Sequence, residues 1–227
     1  MDFLRENNLI TPDRYRLIDQ KKRELLNSDL QGFMERSRIG KKYWSVIQER
    51  IIPLKIVNGY IESLGENIRD GKGMILSGGI GIGKTTILSY IAQKARLFGS
   101  YVGTKNDDDK FEPLMWEGKY KIRFRSVSMI FSLIFGKKEI ELSDLETCDL
   151  LLLDDFGREY SAEFPVSIFE DFIESRYANM RATCVTTNLS IKQLRGLEKY
   201  ARIIDRFAED DLFQFVEIAG ESQRGLE

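Results

Sequence analysis

The stretch Gly78-Gly79-Ile80-Gly81-Ile82-Gly83-Lys84-Thr85-Thr86 constrains this chain more than any other. It matches the spacing G-x-x-x-x-G-K-[ST], which carries meaning only between a strand and a helix. Both flanks are present: Met74-Ile75-Leu76-Ser77 reads as a short apolar strand, and Ile87 to Phe98 carries apolar residues at helical spacing before Gly99. In that frame Gly78, Gly81 and Gly83 let the backbone take positive φ and approach an anion, so that successive N–H groups converge on phosphates. The helix starting near Lys84 adds its positive dipole end. Lys84 would reach the β- and γ-phosphates as a point charge, and Thr85 Oγ would complete part of a Mg²⁺ shell. Gly79, Ile80, Ile82 and Thr86 belong to the same loop by position. The competing reading is a glycine-rich turn that happens to precede Lys and Thr, and the flanking strand and helix count against it.

A second constellation is Cys148-Asp149-Leu150-Leu151-Leu152-Leu153-Asp154-Asp155. Four leucines bounded by acids are too few for a buried helix and suit a central parallel strand covered on both faces. Carboxylates at the carboxyl end of such a strand lie beside the phosphate loop in an open α/β sheet, where ligands collect. Asp154 would hold Mg²⁺ through water, and Asp155 would polarise or orient the attacking water. An ordinary acidic strand end is the alternative, and the glycine loop upstream tips the balance toward chemistry. Further on, Ala182-Thr183-Cys184-Val185-Thr186-Thr187-Asn188 is a strand rich in β-branched residues. Asn188 either hydrogen-bonds the γ-phosphate or the lytic water, or is a helix cap before Leu189-Ser190-Ile191.

Two arginine sites complete the candidates. Arg202 and Arg206 sit four apart on a helical stretch from Leu194 to Phe207. They are either a solvated pair with Asp205 and Glu209 nearby, or they face a neighbouring subunit's ATP and neutralise charge spreading over the γ-phosphoryl oxygens. After a last strand, Phe213 to Ile218, comes Gly220-Glu221-Ser222-Gln223-Arg224. Arg224 either reaches the nucleotide in its own subunit or belongs to a frayed terminus.

Composition narrows the rest. A chain of 227 residues with 42% hydrophobic content suffices for one good-sized domain, or a small one with an appendage. Its 34 basic and 36 acidic residues nearly cancel, so DNA contact would need a local patch or an assembly. Histidine is absent and Cys148 and Cys184 are the only cysteines, which removes zinc sites of the usual ligand spacing and any imidazole base. Both cysteines read as reduced core residues of a cytosolic protein. No apolar run approaches the ~20 residues of a membrane span, and the N-terminus lacks a signal-peptide layout, so the expectation is a soluble, cytoplasmic protein with no membrane contact.

Residues 1–38 are charged and helix-prone, with Leu17, Ile18, Leu25, Leu26, Leu30, Phe33 and Met34 on one side. They read as an amphipathic extension, set before a main domain of residues 39–227, that either packs on that domain or docks to a partner. A second helical region runs from Tyr43 to Ile68, interrupted at Pro53, with Gly65 suiting a helix end. Thr104 to Lys110 is a solvated loop, and Phe111 to Lys119 an irregular surface insertion. In the strand Tyr120 to Val127, Arg123 and Arg125 share a face that meets either DNA phosphates or solvent. Ser128 is placed to cap a short apolar helix, Met129 to Phe135, and a second short helix starts at Ser143. A longer helix, Phe164 to Met180, sets Ile168, Phe169, Phe172, Ile173 and Tyr177 inward. Helices alternating with short apolar strands give a parallel α/β sheet.

In this order the blocks resemble AAA+ ATPases of the DnaC/DnaI helicase-loader and IstB transposition-helper clade, over roughly Arg38 to Arg224. Gly78 to Thr86 resembles Walker A, and Leu150 to Gly157 Walker B with the clade's trailing glycine. Thr186-Thr187-Asn188-Leu189-Ser190 is similar to sensor I, Arg202 to Phe207 to the arginine-finger segment, and Gly220 to Arg224 to a closing G-x-S-x-R. The resemblance implies a P-loop NTPase of AAA+ type: a parallel five-stranded sheet flanked by helices, with a short helical N-terminal extension. It implies ATP and Mg²⁺ bound between subunits, Arg206 acting in trans and Arg224 in cis. It further implies ATP-dependent self-association, single-stranded DNA along the assembly, and delivery of a replicative helicase through the N-terminal extension. The extension here is short and lacks the cysteine cluster of the zinc-binding adaptor in some DnaI proteins. Asp155 stands where AAA+ proteins at large carry glutamate, one methylene longer, which implies slow hydrolysis. Three functions follow: a replicative helicase loader, an IstB-like helper binding duplex DNA, or a binding module with a vestigial ATPase. The intact Lys84, Thr85 and Asp154 count against the third.

Overall fold

The structure is a computed structural model and describes residues 30–43, 55–102, 115–157, 163–208 and 212–220. Five strands build its frame: β1 Gly73–Gly78, β4 Ile122–Ser126, β5 Leu150–Phe156, β6 Ala182–Thr187 and β7 Phe213–Ile218. They form one parallel sheet in the order β4-β5-β6-β1-β7. The leucine run lies in β5 between two neighbours, and all of Leu150, Leu151, Leu152 and Leu153 are buried. Because side chains alternate along a strand, Met74 and Leu76 face one layer while Ile75 faces the other, and Leu150 and Leu152 part from Leu151 and Leu153 in the same way. Burying each such leucine contributes about 1.5–3 kcal/mol.

The first layer holds α1 (Lys55–Glu62), α2 (Leu64–Arg69) and α3 (Lys84–Arg96), which places Val57, Leu64, Ile87 and Ile91 against the sheet. The described part of the N-terminal extension joins it: residues 30–37 are helical, and Phe33 and Met34 belong to the same core. The second layer holds α4 (Val127–Phe135), α5 (Glu139–Thr147), α6 (Glu163–Ala178), the short α7 (Ile191–Arg195) and α8 (Ala201–Ala208). Its centre is aromatic, with Phe156 beside Tyr200 at 4.9 Å between centroids and Phe169 packed on Phe131 and Phe172. Cys148 and Cys184 are buried free thiols.

Several sequence expectations shift. Gly65 does not end a helix; it lies in the first turn of α2, where a Cβ would come within 2.9 Å of the Phe98 ring. The segment expected to be irregular before Lys119 contains β3 (Met115–Gly118), which pairs antiparallel with β2 (Gly99–Val102) as a separate two-stranded sheet. Ser126 caps α4, not Ser128, because Ser126 ends β4 with extended backbone and its Oγ accepts from Met129 N–H at 3.3 Å. Helix α5 begins at Glu139, with Glu139 and Glu141 in the first turn, four residues before Ser143. The stretch from Leu194 to Phe207 divides at Gly196 into α7 and α8, joined through a 3₁₀ turn at Glu198–Tyr200.

Helix α6 buries Val166, Phe169, Phe172 and Ile173, whereas Ile168 and Tyr177 are half-buried. It also buries Arg176, which periodicity did not single out. The Nη1 of Arg176 donates to the carbonyls of Leu145 at 2.8 Å, Glu146 at 3.0 Å and Cys148 at 2.9 Å. Its Nη2 donates to Ala182 O at 2.6 Å, and Nε to Thr183 Oγ1 at 3.1 Å. One guanidinium thus ties the end of α5 to the starts of β5 and β6. Arg176→Met should keep the volume but strand these acceptors, and a loss of about 3–5 kcal/mol in urea unfolding is expected. An unchanged midpoint would show that the clamp contributes nothing to stability.

Candidate nucleotide-binding site

The glycine loop joins β1 to α3 at the carboxyl end of the sheet. Gly78 is needed for space: a Cβ there would lie 2.4 Å from Ile82 Cδ1 and 2.5 Å from Ile218 O. Gly83 is needed for conformation, since it caps α3 with φ +93°, and a Cβ added there would meet nothing within 4 Å.

Lys84 is 6% exposed, and its ammonium curls back into the loop. Nζ donates to Gly78 O at 2.8 Å, Gly79 O at 2.6 Å and Asn188 Oδ1 at 2.9 Å. Three donors therefore meet three acceptors, which is what a buried ammonium requires. Asn188 Nδ2 in turn donates to Asp155 Oδ1 at 3.3 Å. Asn188 is thus a bridge between the lysine and the acid, and the helix cap is supplied by Ser190, whose Oγ accepts from Gln193 N–H in a capping box.

Thr85 Oγ1 lies 3.0 and 3.1 Å from the two Asp154 oxygens, and Thr186 Oγ1 donates to Asp154 Oδ1 at 2.5 Å. Burial is the main force on the Asp154 carboxyl and raises its pKa, while the Thr186 and Thr85 hydroxyls and the Lys84 charge pull it down. The two acids are not on the strand next to the loop. Strand β6 stands between β1 and β5, so Asp154 and Asp155 reach the cleft across it. Asp155 adopts φ +61°, at a break in the β5–β6 register between Leu153 and Phe156.

Gly83, Lys84, Thr85, Asp154, Asp155 and Asn188 line one cleft of about 410 Å³, a size suited to a nucleotide. Lys42 and Tyr43 line it as well, and sequence reading did not name them as site residues. They come from a 3₁₀ turn, Lys41–Tyr43, pinned where Ser89 Oγ donates to Tyr43 O at 3.4 Å. The only local sign is a basic–aromatic step after Gly40, which does not point to a loop so far along the chain.

Arg206 lies elsewhere. Its Nε pairs with Glu174 at 2.6 Å, its guanidinium stands 5.3 Å from the Tyr177 ring centre, and it borders a separate groove with Arg202. Arg224 falls outside the described residues. Arg123 is engaged by Asp144 through Nε at 2.6 Å and Nη2 at 3.2 Å, and Lys121 adds a third contact at 2.9 Å. The Arg123 hydrogen bonds hold the Asp144 carboxyl down to about 2, so this part of the β4 face is internally paired.

The donor set suits ATP with Mg²⁺. A hydroxyl and a carboxylate in contact are hard oxygen ligands. Among the described residues no group of three His, Cys, Asp or Glu side chains could hold a metal ion alone. An ion at Thr85 and Asp154 would therefore share its shell with phosphate and water. Among those residues, too, no helix is long and apolar enough to cross a membrane.

A glycine loop on β1, an acid pair two strands away and a polar strand end between them give the chain the fold of P-loop NTPases of AAA+ type. The resemblance to the DnaC/DnaI clade is borne out by the comparisons. A replicative helicase loader DnaC from Buchnera aphidicola is 28% identical over 153 residues, which is 67% of this chain and 56% of that protein. The chain thus spans little more than half of that relative's length. In structure it is similar to DnaI, with TM-score 0.55 and 21% identity over 82% of this chain and 94% of the other. It is also similar to the replication initiator DnaA bound to AMPPCP and single-stranded DNA, with TM-score 0.58 and 18% identity over 81% of this chain and 51% of that one. No family model matches the chain.

The left-handed backbone at Asp155 gives a physical reason for aspartate there. Asp and Asn tolerate this region, whereas other side chains lose roughly 1–2 kcal/mol. Asp155→Asn should melt like the wild type, and Asp155→Glu should be less stable by about 1 kcal/mol. Equal melting of the glutamate variant would refute the backbone explanation.

Proposed function

We propose that the protein is an ATP-dependent loader of a replicative DNA helicase, an ATPase that uses nucleotide to control its own assembly. The observation that carries the reading is the polar chain Lys84–Asn188–Asp155, set beside the Thr85–Asp154 pair in one cleft. Lys84, now held by loop carbonyls and Asn188, would turn to the β- and γ-phosphates when nucleotide enters. Asn188 would then be free to orient the attacking water together with Asp155. The N–H groups of residues 78–86 would cradle the phosphates, and Lys42 and Tyr43 would close the cleft on its outer side. Thr85 and Asp154 would hold Mg²⁺, which neutralises charge developing on the phosphate oxygens.

Arg206 has no place in the cleft of its own subunit, which fits a role on a neighbour's nucleotide. Arg224 is assigned to the nucleotide of its own subunit. ATP would then fasten protomers together and hydrolysis would release them. Of the extension 1–38, Phe33 and Met34 pack on the ATPase domain spanning 39–227 and the part before Leu30 would act as its partner-binding element, with single-stranded DNA lying along the assembly. The helicase loader DnaC among the relatives supports the helicase as partner.

Lys84→Ala should weaken ATP binding roughly tenfold or more, the factor that 1.4 kcal/mol represents. Arg206→Ala should bind ATP normally but hydrolyse it about a thousandfold more slowly. Mixing the two variants should restore turnover, because each supplies what the other lacks, and unchanged turnover in Arg206→Ala alone would remove the trans assignment. Affinity capture from cell extract with and without ATP tests the function itself: recovery of a replicative helicase is expected, whereas recovery of long duplex DNA without helicase would favour a transposition helper.

A further inference from the structure

Thr186 is fully buried in β6, yet its hydroxyl is spent entirely on the acid pair. Its Oγ1 donates to Asp154 Oδ1 at 2.5 Å and accepts from the backbone N–H of Asp155 at 3.0 Å. One proton and one lone pair suffice for both bonds at once. They fall where the β5–β6 ladder fails: pairing runs to Leu153 with Val185 and resumes at Phe156 with Thr187. Across that gap Asp155 takes φ +61°. Thr187 makes a similar stitch one residue on, its Oγ1 donating to Phe156 O at 2.8 Å and accepting from Leu189 N–H at 3.1 Å, but it touches neither acid side chain.

We infer that Thr186 is a positioning residue for the acid pair, fixing the Asp154 carboxylate against Thr85 and the turned backbone that presents Asp155 to Asn188. It would thereby set how much Mg²⁺ the protein needs to hold nucleotide. This rests on the nucleotide-binding reading above. With the hydroxyl gone, Asp154 loses the bond at Oδ1 that holds it against Thr85, and the Asp155 N–H loses its contact with Thr186. Partners of this kind, one step removed from a metal, govern its affinity by roughly 10–100-fold. An ordinary packing role for a β-branched residue in a central strand would be met equally well by valine.

The experiment uses the full chain, a fluorescent ATP analogue and a Mg²⁺ titration, with thermal melting in parallel. In excess EDTA, Thr186→Val should bind the analogue as the wild type does. Its half-saturating Mg²⁺ should rise about tenfold or more, and Thr186→Ser should return it to within about threefold of wild type. Thr187→Val should melt earlier with an unaltered Mg²⁺ requirement. A wild-type Mg²⁺ curve for Thr186→Val, or an equal shift in Thr187→Val, overturns the inference. Should the valine variant not fold, Thr186→Ala removes the same hydroxyl with less bulk and is read against the same curves. Failure of the wild type to bind the analogue under any condition overturns the nucleotide reading, and the inference falls with it.

Discussion

Strand β6 separates the strand that ends in the glycine loop from the strand that ends in acids, and the polar contacts of the cleft follow from that separation. Hydrogen bonding between strands sets neighbours about 4.7–4.9 Å apart, so two steps place β1 and β5 roughly 10 Å from each other. Lys84 Nζ is held at the loop by the Gly78 and Gly79 carbonyls. The end of β6 fills the interval: Asn188 carries the contact from Lys84 to Asp155, and Thr186 holds Asp154. A buried ammonium and a pair of half-buried carboxyls are each costly alone. Interposing amide and hydroxyl groups satisfies them without collapsing them onto one another, so the cleft stays open for a charged ligand.

The opposite end of the same strands solves a different problem with the same kind of chemistry. At the starts of β5 and β6, Arg176 collects the carbonyls of Cys148 and Ala182 together with two from the end of α5. A single planar group with five N–H bonds is suited to this, and its fork does not require a carboxylate. β5 and β6 are therefore fixed at their amino ends by an arginine and at their carboxyl ends by two threonines. Between the clamps lies an apolar stretch, Leu150 to Leu153 against Ala182 to Val185, in regular register. Functional irregularity is confined to the last residues, where strand order ends and ligand chemistry begins.

Much of this is legible in the amino-acid sequence. The glycine loop, the leucine run and the polar strand end each carry a local pattern, and the structure brings Lys84, Thr85, Asp154, Asp155 and Asn188 to one cleft. Patterns of period two and 3.6 report burial, and they locate the strands of the sheet and the faces of α3 and α6. They do not report what a polar residue does once inside. Arg176 reads as the exposed side of α6 by chemistry but sits on its inner face by geometry, and Thr186 reads as an ordinary β-branched strand residue. Lys42 and Tyr43 escape for another reason: their partner in space, α3, is distant in sequence, and a 3₁₀ turn has too few residues to show a period. Gly65 misleads because glycine marks helix ends by conformation, whereas here it makes room for the Phe98 ring.

The acid at position 155 shows how backbone and side chain trade roles. A glutamate in an extended strand end would reach forward by its length. Here the chain turns instead, through φ +61° at Asp155 and +87° at Gly157, and the shorter side chain is aimed by the backbone to within 3.3 Å of Asn188. Such a turn is unfavourable for most residues and persists only when its surroundings over-determine it. The surroundings do so: Thr186 accepts the Asp155 N–H, Thr187 binds the Phe156 carbonyl, and Phe156 is locked among Phe169, Tyr200 and Phe207. The aromatic centre of the second layer thus anchors the residue that follows the acids. Packing energy gathered far from the cleft holds the geometry at its edge, and a carboxylate held by its own backbone has little freedom left to lose when a ligand arrives.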